Sequence, residues 1–305
     1  MLRLQIHVHT TASRGTRIKY DSTITPTEAI EILHERGVDA VVITDHNTTR
    51  AYDMMKRAGE RKGVYVIRGI EIDTVDGHLI GLGVDGEIEN KVRRRSRTLT
   101  ALEAADLIRD SGGEVYIPHP FDIHQKGLGT KILEVDGIVE VFNPMNIFGF
   151  ENKLAAMVAS RLGRPRAVGS DAHSPSLLGY CINLIDSELN ECLILESLKR
   201  GEVKFERCRY ITLTEMKEMA LRRIRFSYES VKNKIDYGWN IDSNYMIVAN
   251  NPLMRKLERI VLELGVRKPT SLMWDLTSLI AYASAAAYAK RRRKEYQDRI
   301  LKEIL

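Results

Sequence analysis

The chain has 305 residues, of which 44% are hydrophobic and 29% are charged, a composition typical of a soluble globular protein with one large α/β domain and an appendage, or with two domains. Its three cysteines show no CxxC spacing, so no disulfide framework is indicated. The net charge of +5 is uneven, because residues 209–305 hold 19 Lys and Arg against 11 Asp and Glu, whereas residues 1–208 hold 27 against 30.

The first predicted element is a strand of apolar and β-branched residues that contains His7 and His9. Side chains at positions i and i+2 of a strand project to the same side. The two imidazoles would therefore face one point in space, which suits a transition metal. The pair is a weak signal unless other parts of the chain supply matching ligands.

Strand and helix patterns then alternate six or seven times, which predicts a parallel sheet covered by helices and favours a closed barrel. Capping boxes at Thr25 and Thr100 mark two helix starts, and the basic residues from Lys91 to Arg97 are expected in a polar connection. The further predicted strands are 38–44, 64–72, 78–83, 114–117, 137–142 and 167–170, and the predicted helices are 26–37, 49–61, 100–112, 152–162 and 188–200.

Residues 209–305 show no strand alternation and are predicted to form a basic helical extension of a barrel domain that comprises residues 1–208. The basic charge suggests contact with a polyanion such as nucleic acid, although a solvated helical surface explains it equally well. The least polar stretch, residues 276–289, is too short to span a bilayer. With no signal peptide visible, we expect a cytoplasmic protein without a membrane partner.

Candidate metal ligands recur along the barrel region, beside Gly, Pro, Asp or Asn and mostly where a strand ends. His46, His119, Asp171 and His173 follow strands directly, and in a barrel the chemistry gathers at the C-terminal ends of the strands. Any one of these residues could be an ordinary loop residue, but the whole set points to a polynuclear site. The set is His7, His9, Asp21, His46, Glu71, His78, His119, Asp171 and His173.

Five short motifs make the chain similar to the PHP (polymerase and histidinol phosphatase) family of metal-dependent phosphoesterases. They occur in the family's order, and the resemblance extends to about residue 205. The motifs are His7-Val8-His9-Thr10, Thr44-Asp45-His46-Asn47, Gly69-Ile70-Glu71-Ile72, Pro118-His119-Pro120 and Gly169-Ser170-Asp171-Ala172-His173. The resemblance implies a distorted (β/α)7 barrel with two or three divalent metal ions.

The resemblance also implies how the ligands divide among the ions. His7, His9, Glu71 and Asp171 would hold the first ion, and Glu71 would bridge to a second that His78 and His119 complete. A third ion would be held by His46, His173 and one ligand from the loop after the first strand. Asp45 would orient its neighbour from behind, and Glu71, Asp171, His173 and Asp45 are the expected catalytic residues.

The loop after the first strand departs from the family pattern, which places Asp or His shortly after Ser13. Either Arg14 stands in place of the ligand and the third ion is lost, or residues 14–20 are an insertion and Asp21 is the ligand. Asp21 keeps the family's five-residue spacing to Pro26, which favours Asp21. Arg14, Arg17 and Lys19 would then be candidates for contact with a substrate phosphate, or simply an exposed basic loop.

Mixed imidazole and carboxylate ligands suit Zn²⁺, Mn²⁺ or Fe²⁺ better than Mg²⁺ alone. Metal ions of this kind turn water into a hydroxide nucleophile near neutral pH, and the sequence shows neither a nucleophile elbow nor a P-loop. We therefore expect hydrolysis of a phosphomonoester or of a small nucleotide or oligonucleotide. Histidinol phosphate is a rival substrate, and a nucleic-acid-binding module that uses the barrel as a scaffold is the alternative of another class.

Overall fold

The computed structural model describes residues 1–13, 21–95, 98–122, 127–219, 222–223, 298–300 and 302–303. Within them, one mixed sheet of nine strands curls into a nearly closed barrel. The strands are β1 (Leu2–Val8), β2 (Ala40–Ile43), β3 (Tyr65–Asp73), β4 (His78–Leu82), β5 (Glu114–Ile117), β6 (Ile138–Phe142), β7 (Arg166–Val168), β8 (Ile182–Ile185) and β9 (Val203–Glu206). The helices are α1 (Pro26–Glu35), α2 (Tyr52–Lys62), α3 (Ile88–Arg95), α4 (Ala101–Asp110), α5 (Phe150–Arg161) and α6 (Glu191–Arg200).

The barrel closes where the segment that follows β7 lies beside β1. The strand order is β7-β6-β5-β4-β3-β2-β1-β8-β9. Beyond β7, the N–H of Ser170 donates to the carbonyl of Ile6 at 3.0 Å, and the N–H of Ala172 donates to the carbonyl of His7 at 3.1 Å. These bonds bring the segment after β7 beside the end of the first strand, so the two most distant candidate motifs meet.

The predicted barrel is confirmed, but the prediction of a parallel sheet is wrong in part and two further strands exist. β4 runs antiparallel to both β3 and β5, and β8 runs antiparallel to β1 and β9. Only residues 74–77 connect β3 to β4, whereas a parallel crossover needs a dozen or more residues. A tight turn is therefore the connection that fits, and it reverses the direction of the chain.

Two helix starts form as the sequence predicts. The Thr25 hydroxyl accepts the N–H of Glu28, and the Glu28 carboxylate accepts the N–H of Thr25, both at 3.3 Å. Thr100 and Glu103 repeat this capping box at the start of α4. The predicted polar connection is instead helical through Arg95, because the apolar Ile88 and Val92, one turn apart, bury one side of α3.

The apolar core consists of three clusters of buried residues. One cluster, which includes Leu4, Ile6 and Tyr116, is formed mainly by strand residues and by α6. The second packs α4 and α5 against the sheet, and the third packs α1 and α2 against it. These clusters pack the helices against the strands, so the ends of the strands are well held and can position side chains accurately.

The predicted C-terminal extension is described only in part. Residues 213–219 are helical, and Ile211 and Met219 are buried in the cluster that contains α1 and α2. Most of residues 220–305, with their basic charge, lie outside the described residues, so the boundary between residues 208 and 209 stays a prediction. Among the described helices, none is long and apolar enough to cross a membrane.

Candidate metal centre

A bulge at the end of β1 sets the first two histidines. Gln5 pairs with Val41 and Val8 pairs with Ile43, so β1 contains one extra residue between these pairs. His7 adopts φ 65°, a left-handed conformation that is unfavourable for a side chain with a Cβ. The simple alternation expected for His7 and His9 is therefore interrupted, and the strained backbone at His7 re-aims its imidazole.

The nine candidate ligands come together at one end of the barrel. His46 follows β2, Glu71 lies late in β3, and His119 follows β5. His78 begins β4, and because β4 is antiparallel to β3 its first residue lies at the same end, opposite Asp73. Asp171 and His173 follow β7. His119 and Asp171 also have positive φ angles, 26° and 47°, and such strain collects at functional sites.

The carboxylate of Glu71 lies at the centre of the cluster. Its Oε2 is 3.2 Å from His9 Nε2 and 3.3 Å from His46 Nε2. Its Oε1 is 3.0 Å from His78 Nδ1 and 3.4 Å from His119 Nε2. Both oxygens are buried and neither has a hydrogen-bond partner among the described residues. The nitrogens are therefore close to the carboxylate, but none of these contacts is a hydrogen bond.

Five cluster residues are almost completely buried, and we call them the inner group. Asp171 Oδ1 lies 3.4 Å from the Nε2 atoms of both His7 and His9, which also face Glu71. His119 completes the set, and each of the five side chains is at most 1% exposed. The inner group is His7, His9, Glu71, His119 and Asp171.

Five further residues lie towards solvent, and we call them the outer group. Asp21 Oδ2 is 2.8 Å from His173 Nε2 and 3.6 Å from His46 Nε2. Asp73, which the sequence analysis did not select, is 3.0 Å from His46 Nδ1 and 3.3 Å from His78 Nε2. The side chains of this group are 9–21% exposed. The outer group is Asp21, His46, Asp73, His78 and His173.

Buried carboxylates and imidazoles shift each other's ionisation. Burial alone would raise the pKa of Glu71, but His46, His78 and His7 outweigh it and hold that pKa well below its usual range. Burial alone would lower the pKa of His46, but Glu71, Asp73 and Asp21 outweigh it and raise that pKa to about 10. The buried ionised carboxylates are thus stabilised by positive charge nearby, either on the imidazoles or on bound divalent cations.

Glu140, behind His7, connects several of the ligands and was not selected from the sequence. Its Oε1 accepts the Nδ1–H of His7 at 2.8 Å and the hydroxyl of Tyr116 at 2.9 Å. Its Oε2 accepts the backbone N–H of His119 at 2.6 Å and the side-chain amide of Asn143 at 2.9 Å. Because Glu140 accepts the hydrogen bond from Nδ1–H, the lone pair of His7 Nε2 is available to a metal ion in the cluster.

Asp45 holds the loop after β1. Its carboxylate accepts the N–H and the hydroxyl of Thr10 at 2.5 and 2.7 Å, and the hydroxyl of Ser13 at 2.9 Å. Ser13 in turn accepts the N–H of His46, so Asp45 acts on its neighbour indirectly, and Asp73 contacts the His46 ring. Arg14, Arg17 and Lys19 lie outside the described residues, so their role stays a prediction.

The residues present fit divalent metal ions. Four overlapping sets of ligand atoms lie within 4.8 Å of one another: His7, His9 and Glu71; His7, His119 and Asp171; His46, Glu71 and His78; and His9, Asp21, His46 and His173. Buried polar atoms without partners are costly, yet His7 Nε2, both nitrogens of His9 and His119, and both oxygens of Glu71 have no hydrogen-bond partner in the described part of the chain. Imidazole with carboxylate is the donor set of Zn²⁺, Mn²⁺ and Fe²⁺.

Residues 5–116 match the family described as PHP domain, and residues 149–203 match the family described as PHP-associated. A solved two-domain protein of Bacteroides vulgatus, described as containing a PHP-like metal-dependent phosphoesterase, superposes with a TM-score of 0.54 at 16% identity, over 72% of this chain and 69% of that one. At this identity the match supports the fold alone.

Curated relatives cover different parts of the chain. An uncharacterized protein of Methanocaldococcus jannaschii is 33% identical over 160 residues, which are 50% of this chain and 89% of that protein. A phosphoribosyl 1,2-cyclic phosphate 1,2-diphosphodiesterase of Eggerthella lenta is 35% identical over 26% of this chain and 30% of the enzyme. A 3',5'-nucleoside bisphosphate phosphatase of Chromobacterium violaceum is 29% identical over 28% of this chain and 29% of the enzyme. The chain thus spans less than a third of these two named enzymes.

Proposed function

The chain belongs to the PHP family of metal-dependent phosphoesterases, and we propose that it hydrolyses phosphate esters of small nucleotide-type molecules at the cluster of inner and outer groups. The single observation that carries this proposal is the environment of Glu71. A carboxylate kept ionised, fully buried and without a hydrogen-bond partner among the described residues, with four imidazole nitrogens within 3.4 Å, has the surroundings of a bridging metal ligand.

The ligand assignment is the one that the family resemblance implies, and the two oxygens of Glu71 support it, since Oε2 faces His7 and His9 whereas Oε1 faces His78 and His119. Glu71 would bridge two ions, one held with His7, His9 and Asp171 and the other with His78 and His119. His46, His173 and Asp21 would hold a third ion at the exposed side. Bound ions of this kind lower the pKa of water to near neutrality and neutralise charge on phosphate oxygens.

The chain's own side chains fix orientation and proton positions. Glu140 accepts a hydrogen bond from the Nδ1–H of His7, and the backbone carbonyl of Asp171 accepts one from the Nδ1–H of His173, both at 2.8 Å. In both histidines the Nε2 atom is then left to face the cluster. Since only the outer group is open to solvent, a phosphate ester would approach from that side and displace water there.

The named relatives support the substrate class, since by their names one acts on a phosphoribosyl cyclic phosphate and the other on a nucleoside bisphosphate. Histidinol phosphate is the rival within the same chemistry, and a phosphatase assay separates the two directly. The binding-module alternative has less support, because a scaffold does not require buried ligand atoms that lack partners.

Metal analysis and a substrate panel test the proposal. The purified chain should contain two or three divalent ions, and with added Mn²⁺ it should hydrolyse p-nitrophenyl phosphate. Among natural compounds, nucleoside bisphosphates or short oligonucleotides should be turned over faster than histidinol phosphate. Absence of ions together with no hydrolysis of any phosphate ester would refute the hydrolase, and a clear preference for histidinol phosphate would refute only the substrate class.

A further inference from the structure

Two arginines from beyond the barrel reach the segment that carries Asp21. Arg223 donates its Nε–H to the backbone carbonyl of Asp21 at 2.8 Å, and its Nη2 lies 3.7 Å from Asp21 Oδ1. Arg222, the preceding residue, pairs with Glu28 and approaches the carbonyl of Thr23. The C-terminal segment is thus attached to the rim of the site at two neighbouring points.

Asp21 presents its two carboxylate oxygens to different partners. Oδ2 faces His173 and His46, whereas Oδ1 faces Arg223. A guanidinium therefore lies directly beside the exposed end of the cluster. Among the described residues, no other arginine or lysine forms an ion pair with a member of the inner or outer group.

Arg223 keeps donors available. A guanidinium carries five N–H groups, and only the Nε–H of Arg223 donates a hydrogen bond to a described residue. The side chain is 16% exposed, similar to Asp21 at 13%, so the guanidinium is held by Asp21 and is still partly open to solvent. Burial lowers the pKa of Arg223, and the carboxylates of Asp21 and Asp171 offset this effect in part.

We propose that Arg223 binds the phosphate of the substrate, so that the C-terminal segment completes a site otherwise built by the barrel. The inference rests on the proposed phosphoester chemistry, and it makes Arg223 selective for a phosphate with several free oxygens. Such a group can accept two parallel N–H bonds from one guanidinium while its other oxygens face the metal cluster. A phosphomonoester offers more oxygens for this than an internal diester does.

Titration of inorganic phosphate into the full-length protein loaded with Mn²⁺, followed by calorimetry, tests the inference without turnover. Arg223→Ala should weaken phosphate binding by about 10- to 100-fold, as expected for a lost charge-assisted bond, with unchanged metal content. Arg223→Lys keeps the charge but not the planar guanidinium, so its phosphate affinity should lie between those of the parent and Arg223→Ala. Arg200→Gln removes an exposed arginine of α6 that pairs only with Glu196 among the described acidic residues, and this control should change phosphate affinity by less than about twofold.

Three results would overturn the inference. Arg223→Ala would bind phosphate as tightly as the parent, or it would lose a metal ion together with phosphate binding, in which case Arg223 only positions Asp21. The third is that the parent protein binds no phosphate. If phosphate binding depends on Arg223 but no phosphate ester is hydrolysed, the inference stands and the proposed hydrolase activity fails.

Discussion

The inner and outer groups of the cluster both combine imidazoles with carboxylates but are supported differently. The inner group is fixed by β1, β3 and the chain that directly follows β5 and β7, and each side chain is at most 1% exposed. The outer group includes Asp21, from the long connection between β1 and α1, and its neighbour Arg223 lies 202 positions later in the chain.

This difference separates two tasks. Strand ends held by the packed core can place ligands accurately, which catalysis requires. Loops and added segments can vary without disturbing the sheet, which suits them to recognise a substrate. We therefore expect changes in the inner group to abolish the reaction, and changes in the outer group to alter which ions and phosphates are bound.

The largest effect is expected from Glu71→Gln. The amide cannot bridge two cations, so several kcal/mol of charge stabilisation would be lost, which corresponds to a fall in kcat of at least about 1,000-fold. Metal content, measured by plasma emission on the same sample, should fall with it. Glu31→Gln, on the exposed side of α1, is the control and should behave like the parent. Near-normal turnover with full metal content would exclude Glu71 as the bridge.

A smaller effect is expected from Glu140→Gln, which tests whether support behind the inner group matters. The carboxylate of Glu140 accepts four donors, and an amide would turn one acceptor into a donor that faces them. Metal affinity should fall about 10- to 100-fold, as measured by competition with a chelator. Glu114→Gln, at the start of β5 and paired with Lys199 on the surface, should leave it unchanged.

Gly169→Ala would test the same support from the other side. A Cβ at this position would lie 1.7 Å from Oε1 of Glu140, so the carboxylate that holds His7 would have to move. The variant should therefore share the weakened metal affinity of Glu140→Gln without any change of charge. Unaltered affinity in both variants would show that His7 keeps its position without Glu140.

The sequence identified the inner group because its signals are local. His7, His9 and His119 lie at or beside strand ends next to turn residues, and the motif order adds Glu71 and Asp171. Helix caps were equally predictable, since Thr25 and Glu28 interact across three positions. Features that involve a single helix or strand and the residues next to its end, such as these histidines and caps, could therefore be predicted from spacing and residue type.

The supporting residues could not be found in this way, since their partners are distant in sequence. Glu140 meets His7 across 133 positions and Arg223 meets Asp21 across 202. Asp73 contacts His78 because the short turn between them makes β4 antiparallel to β3, whereas the sequence had predicted a parallel sheet. One signal was available: Glu140, in an otherwise apolar strand, is a buried charge that requires partners.

Asp21→Asn separates the two groups most directly. Losing this carboxylate should release the exposed ion held with His46 and His173 while the inner ions remain, so the metal content should fall by about one equivalent. Activity should fall about tenfold, less than for Glu71→Gln, because the bridging ligand is intact. Asp186→Asn, at an exposed position, serves as control. Complete loss of all ions would show that the groups are not independent.

The smallest effect concerns the attachment of the C-terminal segment. Arg209 donates to both oxygens of Glu215 at 2.5 and 2.7 Å and lies 3.9 Å from the Tyr180 ring centre. Thr212 and Glu215 form a capping box at the start of the helix at 213–219, in which the Thr212 hydroxyl accepts the N–H of Glu215 and the Glu215 carboxylate accepts the N–H of Thr212. The Arg209 guanidinium, although opposed by burial, lowers the pKa of Glu215 to about 2.

A depressed carboxylate pKa stabilises the fold fully above the ordinary value near 4.5, and that stability is lost as the pH falls through about 2. Glu215→Gln should therefore cost about 0.5–1 kcal/mol in the free energy of unfolding at pH 7, and the difference from the parent should shrink between pH 4.5 and 2. Urea unfolding of both proteins across this range measures it. A difference that stays constant down to pH 2 would show that packing, not charge, attaches the segment that carries Arg223.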